Sequence, residues 1–457
     1  MLVALKNFEF DARLNAKHEG MPDISLALLP VTTIPPPKEI EELKLDEQAA
    51  EGVIAGLGQR EQLSPETEKA VEKTLNFSGS DYSEAVESME KYFLQHRWSD
   101  GFPLVPPTQE AINRMLEGTE LPRDHVVALL EPGAGKATME KIAINAVMAG
   151  CLPQYMPVIL AAVEAIADPS FDLQGVQCTA GIPSPLLIIS GQKLVRQLNI
   201  NDGYSAIGPG WRANSTIGRA VRLIMINIGH AWPGEPDMKA FGSPFKFVTL
   251  MAENDSAYGD GWEPIRVAEG FDYDQPTISV MPAISWQPDY LSADVVDADK
   301  MLELLAAQGK VKYDNSAATW GRDNLVILTS LACETLRKRG LSRLDTQKVL
   351  YELIKLPCSE FFEGRDPARI MGTYVPPEWL VKKCKEDAGT LVNLLDKPQN
   401  IKIVVVGPRG GVLFAYIGTW GIGPAYFVTK PIKLPKKWEN LLEKYKGWET
   451  PIVVKQL

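Results

Sequence analysis

A glycine-rich loop that leads into a helix is the segment whose residues point most clearly to chemistry. It covers residues 201–230, NDGYSAIGPGWRANSTIGRAVRLIMINIGH, and its helix is predicted to begin near Asn214. The free backbone N–H groups at a helix N-terminus attract anions, and an arginine guanidinium beside them suits a carboxylate or phosphate. A capped helix with its arginines in structural ion pairs is the alternative. The residues predicted to bind an anion here are Gly208, Gly210, Trp211, Arg212, Asn214 and Arg219.

Polar residues on a second predicted helix, Thr138–Ala149, are further candidates for substrate binding. Lys141 and Asn145 are four residues apart and share one face, and Glu140 is adjacent. Because the rest of this helix is apolar, the polar groups need a partner in the fold or a ligand. We predict Glu140, Lys141 and Asn145 as binding residues, with structural pairing as the alternative.

Two cysteines and a histidine are candidates for nucleophilic catalysis. Cys178 lies in a segment predicted to be a loop before a strand, where His230 or another base could activate its thiol. Cys151 follows a predicted helix C-terminus, which disfavours a thiolate. Buried, unreactive thiols are the alternative for both cysteines.

Carboxylates supply two candidate proton-transfer groups. Asp100 is enclosed by Trp98 and a proline-rich segment, and Glu253 belongs to an acidic, loop-rich stretch that extends to Glu263. Two carboxylates in a cleft can act as general acid and base or hold a hard cation. For the stretch around Glu253, a solvated surface loop is the alternative.

Composition excludes several classes of partner and site. The net charge of −11 disfavours nucleic acid, and the absence of a signal peptide or a long apolar run predicts a cytoplasmic protein that binds no membrane. Five cysteines without a CxxC pair and four scattered histidines predict free thiols and no zinc site. Residues 131–138 (EPGAGKAT) do not match a P-loop, and no dinucleotide fingerprint is present, so the cofactor stays unknown.

The elements that must position these residues alternate between short apolar strands and helices. The predicted strands are Pro185–Ser190, Asn324–Thr329 and Ile401–Val406. The predicted helices are Thr138–Ala149, Pro157–Ala167, Ser215–Ile228, Asp297–Ala307 and Asp345–Ile354, after two earlier helices that start at Asp81 and Thr108. This alternation predicts an α/β fold with a mixed sheet and irregular loops rich in glycine, proline and tryptophan.

The chain is predicted to have three regions. Residues 1–80 form an extended N-terminal arm with a proline linker at Pro35–Pro37 and an acidic, helix-favouring stretch at Glu39–Ala55. Residues 81–320 form the main α/β domain with the ligand site, and residues 321–457 form a C-terminal α/β portion packed on it. The arm is predicted to lie on this body or to contact a partner subunit.

Three segments together resemble a largely uncharacterised bacterial family that is loosely associated with small proteins bearing a UGSC redox motif. They are WSDGFPLVPPT from Trp98, MEKIAINAVMAGC from Met139 and GPGWRAN from Gly208, and the resemblance covers roughly residues 90–430. The resemblance implies neither a cysteine at the position of Cys178 nor the N-terminal arm. The residues to which the resemblance assigns importance are Asp100, Glu140, Lys141, Asn145, Cys151, Arg212 and Asn214.

These patterns predict an enzyme that acts on a small, anionic substrate by bond cleavage or rearrangement, as a lyase, a hydrolase or a thiol-linked oxidoreductase. Arg212 and the backbone amides after it would hold the anion, Asp100 or Glu253 would move protons, and a cysteine would take part in the thiol-linked case. The alternative is a non-catalytic subunit of a heteromeric enzyme complex that docks its partner through the arm. Either way, we expect a homo- or hetero-oligomer, and no residues are predicted to bind a metal.

Overall fold

The structure is a computed structural model that describes most of the chain after residue 73. The described residues are 2–5, 26–29, 44, 47, 49–51, 74–292, 296–310, 322–361, 378–420 and 426–448. They fall into two compact units, one made of residues 1–92 and 232–236 and the other of residues 93–231 and 237–457. The predicted linker at Pro35–Pro37 and most of the stretch Glu39–Ala55 lie outside the described residues.

Strands and helices alternate irregularly along the chain, which confirms the predicted α/β class. The strands are β1 (Leu2–Leu5), β2 (Leu26–Leu29), β3 (Val126–Leu130), β4 (Gly135–Thr138), β5 (Ser184–Ser190), β6 (Trp232–Pro233), β7 (Pro236–Asp237), β8 (Leu250–Ala252), β9 (Thr277–Ala283), β10 (Gln287–Leu291), β11 (Asn324–Leu328), β12 (Lys355–Pro357), β13 (Leu391–Asn393), β14 (Ile401–Val405), β15 (Val412–Ile417) and β16 (Val428–Pro431). The helices are α1 (Tyr82–Gln95), α2 (Gln109–Leu116), α3 (Met139–Ala149), α4 (Met156–Ile166), α5 (Leu173–Cys178), α6 (Gln192–Gln197), α7 (Arg212–Asn227), α8 (Ile265–Ala268), α9 (Ala298–Gly309), α10 (Ser330–Lys338), α11 (Arg343–Leu353), α12 (Cys358–Phe361), α13 (Glu378–Glu386) and α14 (Trp438–Lys444).

Two four-stranded mixed sheets form the core of the larger unit, and both have the same arrangement. The first has the order β16-β9-β5-β8 and the second β10-β15-β11-β14. In each sheet the last two strands are parallel and the other pairings are antiparallel. β5 and β9 are buried along their whole length, which explains why residues 185–189 of β5 form a continuous apolar run and not an alternating one.

Each sheet receives one edge strand from the other half of the chain, and we call this feature the strand exchange. β10 follows β9 in sequence but pairs with β15, whereas β16 follows β15 but pairs with β9. At the crossing point Ala283 forms a bridge with Thr419, and the Gly418 N–H donates to Ser285 Oγ at 2.8 Å. The two halves are therefore joined by backbone hydrogen bonds as well as by side-chain packing.

The ends of α3 lie where the sequence placed them, but the start of α7 does not. Thr138 Oγ1 accepts a hydrogen bond from the Lys141 N–H, and Gly150 ends α3 with a φ of +84°. α7 begins at Arg212, so the predicted start near Asn214 is wrong. Asn214 is buried inside the helix, because its side chain binds the preceding loop instead of capping the helix.

The expectation that all five cysteines are free thiols is wrong for two of them. Cys358 and Cys384 form a disulfide that joins α12 to α13. Both side chains belong to a small apolar cluster with Phe361, Leu380 and Val392. Residues 359–383 separate the two cysteines in the sequence, so no CxxC-like spacing indicated this pair.

Candidate functional site

Asp100 and Arg219, both predicted site residues, form a bidentate ion pair. Nε and Nη2 of Arg219 donate to the two carboxylate oxygens of Asp100 at 2.8 and 2.9 Å. The same Nη2 donates to the carbonyl groups of Phe102 and Pro103. The pair therefore joins the proline-rich segment after Trp98 to α7, and both oxygens of the candidate base Asp100 already accept hydrogen bonds.

One turn further along α7, Arg222 lies close to a buried carboxylate. Its Nη2 is 3.6 Å from Oδ2 of Asp237. The two oxygens of the Asp237 carboxylate also form ion pairs, Oδ2 with Lys246 at 2.8 Å and Oδ1 with Lys239 at 3.4 Å. The charges of Asp100 and Asp237 both act on Arg222. We call Asp100, Arg219, Arg222, Asp237, Lys239 and Lys246 the α7 charge cluster. It holds four cationic side chains and two carboxylates, although the chain as a whole has a net charge of −11.

Lys239 is the most deeply buried cation of the α7 charge cluster, with a side chain that is 2% exposed. Its Nζ donates to the carbonyl groups of Val176 and Gln177, at 2.7 and 2.9 Å, in the last turn of α5. Burial lowers the pKa of Lys239 to about 8, although the carboxylate of Asp237 opposes this change. A lysine that titrates close to neutral pH can exchange a proton with a bound molecule.

Cys178 is the last residue of α5 and not part of a loop, which corrects the prediction. The helix forms because Asp172 Oδ1 accepts a hydrogen bond from the Gly175 N–H at 3.1 Å and so caps its N-terminus. The thiol is half-buried, and burial raises its pKa to about 11, while the charge of Lys239 lowers it. Cys178 therefore carries a protonated thiol beside a lysine of unusually low pKa.

Alkylation of the native chain at pH 8 is expected to be slow at Cys178 and slower still at Cys151. Because the pKa of Cys178 is about 11, its thiolate fraction is about two orders of magnitude below that of an ordinary thiol. Peptide mass spectrometry after timed exposure to iodoacetamide would measure both rates. Rapid modification of Cys178 at neutral pH would contradict the protonated state, and faster modification of Cys151 would contradict the relative burial of the two residues.

Cys151 and Arg212 meet where α3 ends beside α7. The Cys151 thiol is buried and donates to the carbonyl group of Thr216 at 3.2 Å, and burial raises its pKa to about 12. Nε of Arg212 donates to the Gly150 carbonyl at 3.0 Å, and its guanidinium lies 5.1 Å from the ring centre of Trp448. Arg212 keeps further N–H donors beyond this backbone contact.

Two glycines give the loop before α7 a backbone that other residues rarely adopt. Gly208 and Gly210 have φ values of +132° and +134°, which L-residues rarely adopt. Trp211 precedes the first helical residue, and no side chain caps the helix there. Asn214 contributes to the loop and not to a ligand, because its side chain accepts from the Asn201 N–H at 2.8 Å and donates to the Ala206 carbonyl.

The polar residues of α3 are engaged within the fold. Asn145 is buried, donates to the Lys141 carbonyl at 2.8 Å and accepts from Asn227 of α7 at 2.7 Å. Glu140 forms an ion pair with Arg123 at 2.6 Å, and the side chain of Lys141 is exposed. These contacts match the structural alternative for Glu140 and Asn145, and their role in binding stays a prediction.

Glu253 directly follows β8 and is completely buried, so the alternative of a solvated surface loop is wrong for this residue. Its carboxylate accepts hydrogen bonds from the hydroxyl groups of Ser190 and Tyr258 and from the Ile265 N–H, the last at 2.9 and 3.1 Å. Arg266 donates to Ser190 at 2.9 Å and extends this network. Burial raises the pKa of Glu253. The carboxylate thus connects the ends of the parallel strands β5 and β8 with α8. These contacts match a structural role for Glu253.

His230 was expected to activate a thiol as the catalytic base. It follows α7 with a φ of +58°, its side chain is exposed, and it contacts Gly133. In the part of the chain that the structure describes, no hydrogen bond joins His230 to Cys178 or Cys151. Its predicted catalytic role has no geometric support from these contacts.

Sequence reasoning missed the residues that complete the α7 charge cluster, namely Arg222, Asp237, Lys239 and Lys246. Arg222 is hidden within an apolar helix pattern. Asp237 ends the two-residue strand β7, and Lys239 and Lys246 follow it without a recognisable spacing. The described ranges contain no group of three or more metal-ligating side chains. Among the same residues, no helix is both long and apolar enough to cross a membrane.

Comparison with known proteins does not assign a function to this site. No protein-family model matches the chain, and the search of curated proteins found no match. The resemblance of the WSDG, MEK and GPGWRAN segments to a bacterial family therefore stays a prediction. Any functional conclusion has to rest on the arrangement of the side chains themselves.

Proposed function

We propose that the chain is an enzyme that acts on a small anionic substrate by bond cleavage or rearrangement, and that the substrate binds at the α7 charge cluster. The observation that carries the proposal is the surplus of positive charge in this cluster, two of whose cations, Arg222 and Lys239, have buried side chains. Buried charges require partners, and in this cluster four cations share two carboxylates. An anion would supply the missing negative charge.

Arg222 is the residue best placed to hold that anion. Its side chain is 9% exposed, and within the described residues its ion pairing is limited to the 3.6 Å contact with Asp237. A guanidinium has five N–H donors, so most of those of Arg222 remain for a ligand. Arg219 is less suitable, because Asp100 and two backbone carbonyl groups already engage it.

Proton transfer is assigned to Lys239 in this proposal, in place of Asp100 or Glu253. Lys239 has a pKa of about 8, so it can both give and take a proton near neutral pH. The positive charge of Lys239 lowers the pKa of the Cys178 thiol. Cys178 is the candidate nucleophile if the reaction is thiol-linked. Lyase, hydrolase and thiol-linked chemistry are all compatible with this pair of residues.

Substitution Arg222→Gln is expected to weaken the binding of inorganic phosphate or succinate by about tenfold to a hundredfold, since a charge-assisted hydrogen bond contributes about 1.5–3 kcal/mol. Isothermal titration calorimetry at constant ionic strength would measure the dissociation constants. Arg196→Gln is the matched control, because it removes the same charge from an exposed position on α6. Equal affinity in both variants, or no anion binding by the wild type, would contradict the proposal and favour a non-catalytic subunit.

A further inference from the structure

Two polar side chains near Cys178 are buried and lack a hydrogen-bond partner among the described residues. They are Nε2 of Gln177 and the indole Nε1 of Trp420. These two residues are only 2% and 5% exposed. A buried donor left without a partner destabilises the fold, and native structures keep few such groups. One of them precedes Cys178 in the sequence and the other packs against the same helix, so the two together require an explanation.

Both donors lie in or beside α5, since Gln177 is part of this helix and Trp420 packs against it. Trp420 packs directly against Gly175 of this helix, and a Cβ atom on Gly181 would lie 3.6 Å from its Nε1. Lys239 holds the same helix end through the carbonyl groups of residues 176 and 177. Cys178 thus lies at the C-terminal end of α5. Trp420 packs beside this helix, and Lys239 donates hydrogen bonds to its last turn.

The chemistry of the two unpartnered groups indicates what they could bind. Both are neutral N–H donors, so their partner has to present hydrogen-bond acceptors. Neutral, preorganised donors of this kind match a carbonyl oxygen, whose charge increases when a nucleophile or proton donor acts on it. The cations of the α7 charge cluster suit the charged end of the same molecule.

We infer that Gln177 and Trp420 bind a carbonyl or carboxylate oxygen of the substrate next to Cys178, so that the substrate is a small carboxylic acid or keto acid. This inference rests on the proposed function and narrows it, because it names the class of substrate and two binding residues. Neither residue was a candidate from the sequence, since Gln177 and Trp420 are 243 positions apart. The strand exchange brings Trp420 to this position, because it directly follows the crossing at Thr419.

Nuclear magnetic resonance of the indole groups tests the inference on the full chain. The Nε1–H resonance of Trp420 is identified by its absence in Trp420→Phe. Addition of pyruvate, acetate or succinate at constant ionic strength is expected to shift this resonance downfield until it saturates, whereas sodium chloride should not. If none of these carboxylates shifts the Trp420 resonance, the inference is overturned.

Two substitutions extend the test to affinity. Gln177→Met and Trp420→Phe each remove one donor and keep most of the side-chain volume, and each is expected to weaken carboxylate binding by about tenfold. Trp262→Phe is the control, because the Trp262 indole already donates to the Leu341 carbonyl at 2.9 Å. This substitution should lower stability without changing the affinity for carboxylates. Unchanged affinity in Gln177→Met and Trp420→Phe would overturn the inference, while a loss of phosphate binding in Arg222→Gln would still support the proposed function.

Discussion

Substitution Glu253→Ala is expected to destabilise the chain by about 3–5 kcal/mol, because each buried donor that loses its acceptor costs about 1–3 kcal/mol. The carboxylate accepts hydrogen bonds from Ser190, Tyr258 and the Ile265 N–H, and all three donors would lose their partner in the buried interior. A cavity would add to this cost. Urea unfolding followed by circular dichroism would measure the free-energy difference.

Glu253→Gln is the matched variant and should lose much less stability. Because burial raises the pKa of Glu253 above its usual 4.5, the folded chain holds a proton there at pH values where the unfolded chain has released it. Its contribution to stability is therefore full below pH 4.5 and declines as the pH rises through the raised pKa. A glutamine, which does not titrate, would remove this decline. Equal losses in the alanine and glutamine variants would contradict this account.

The stability of the wild type relative to Lys239→Met is expected to rise by up to about 3 kcal/mol between pH 8 and pH 10.5, at 1.36 kcal/mol for each pKa unit. Burial lowers the pKa of Lys239 from 10.5 to about 8. Within this window the unfolded chain binds more protons than the folded chain, so a rising pH favours folding. Below pH 8 the full cost of burying the charged amine is present.

Urea unfolding of both chains at several pH values would test this expectation. Other lysines and the tyrosines titrate in the same range, but their effects are common to the two chains and cancel in the difference. Lys141→Met is the control, because that side chain is exposed and its removal should leave the difference independent of pH. A flat difference for Lys239→Met would show that its amine is solvated and would weaken its assignment as the proton-transfer group.

Several helices and three strands were predictable because their information is local. Thr138 and Gly150 mark the two ends of α3, and the apolar runs at 185–190, 324–329 and 401–406 form β5, β11 and β14 to within one residue. The order of the strands was not predictable. It depends on pairings between segments more than 100 residues apart, such as β9 with β16, and a single sequence does not record them.

Only those residues of the candidate site that lie in recognisable sequence motifs were predictable. The prediction placed Asp100 and Arg219 in one site, and they form an ion pair. Cys178 was misplaced because a six-residue helix is too short to show a helical period. Lys239 was missed because its low pKa results from burial against α5, and burial of a loop lysine leaves no mark in the local sequence.

The strand exchange also determines the order in which the chain can fold as it leaves the ribosome. The first sheet contains β5, β8 and β9, which end by residue 283, but its edge strand β16 spans Val428–Pro431. Until that late segment emerges, one edge of the fully buried strand β9 has no partner, and exposed strand edges invite pairing with other chains. β10 must likewise wait for β15. Synthesis therefore leaves both halves incomplete until nearly the whole chain is available, and such long-range pairings make folding slow and exposed to aggregation.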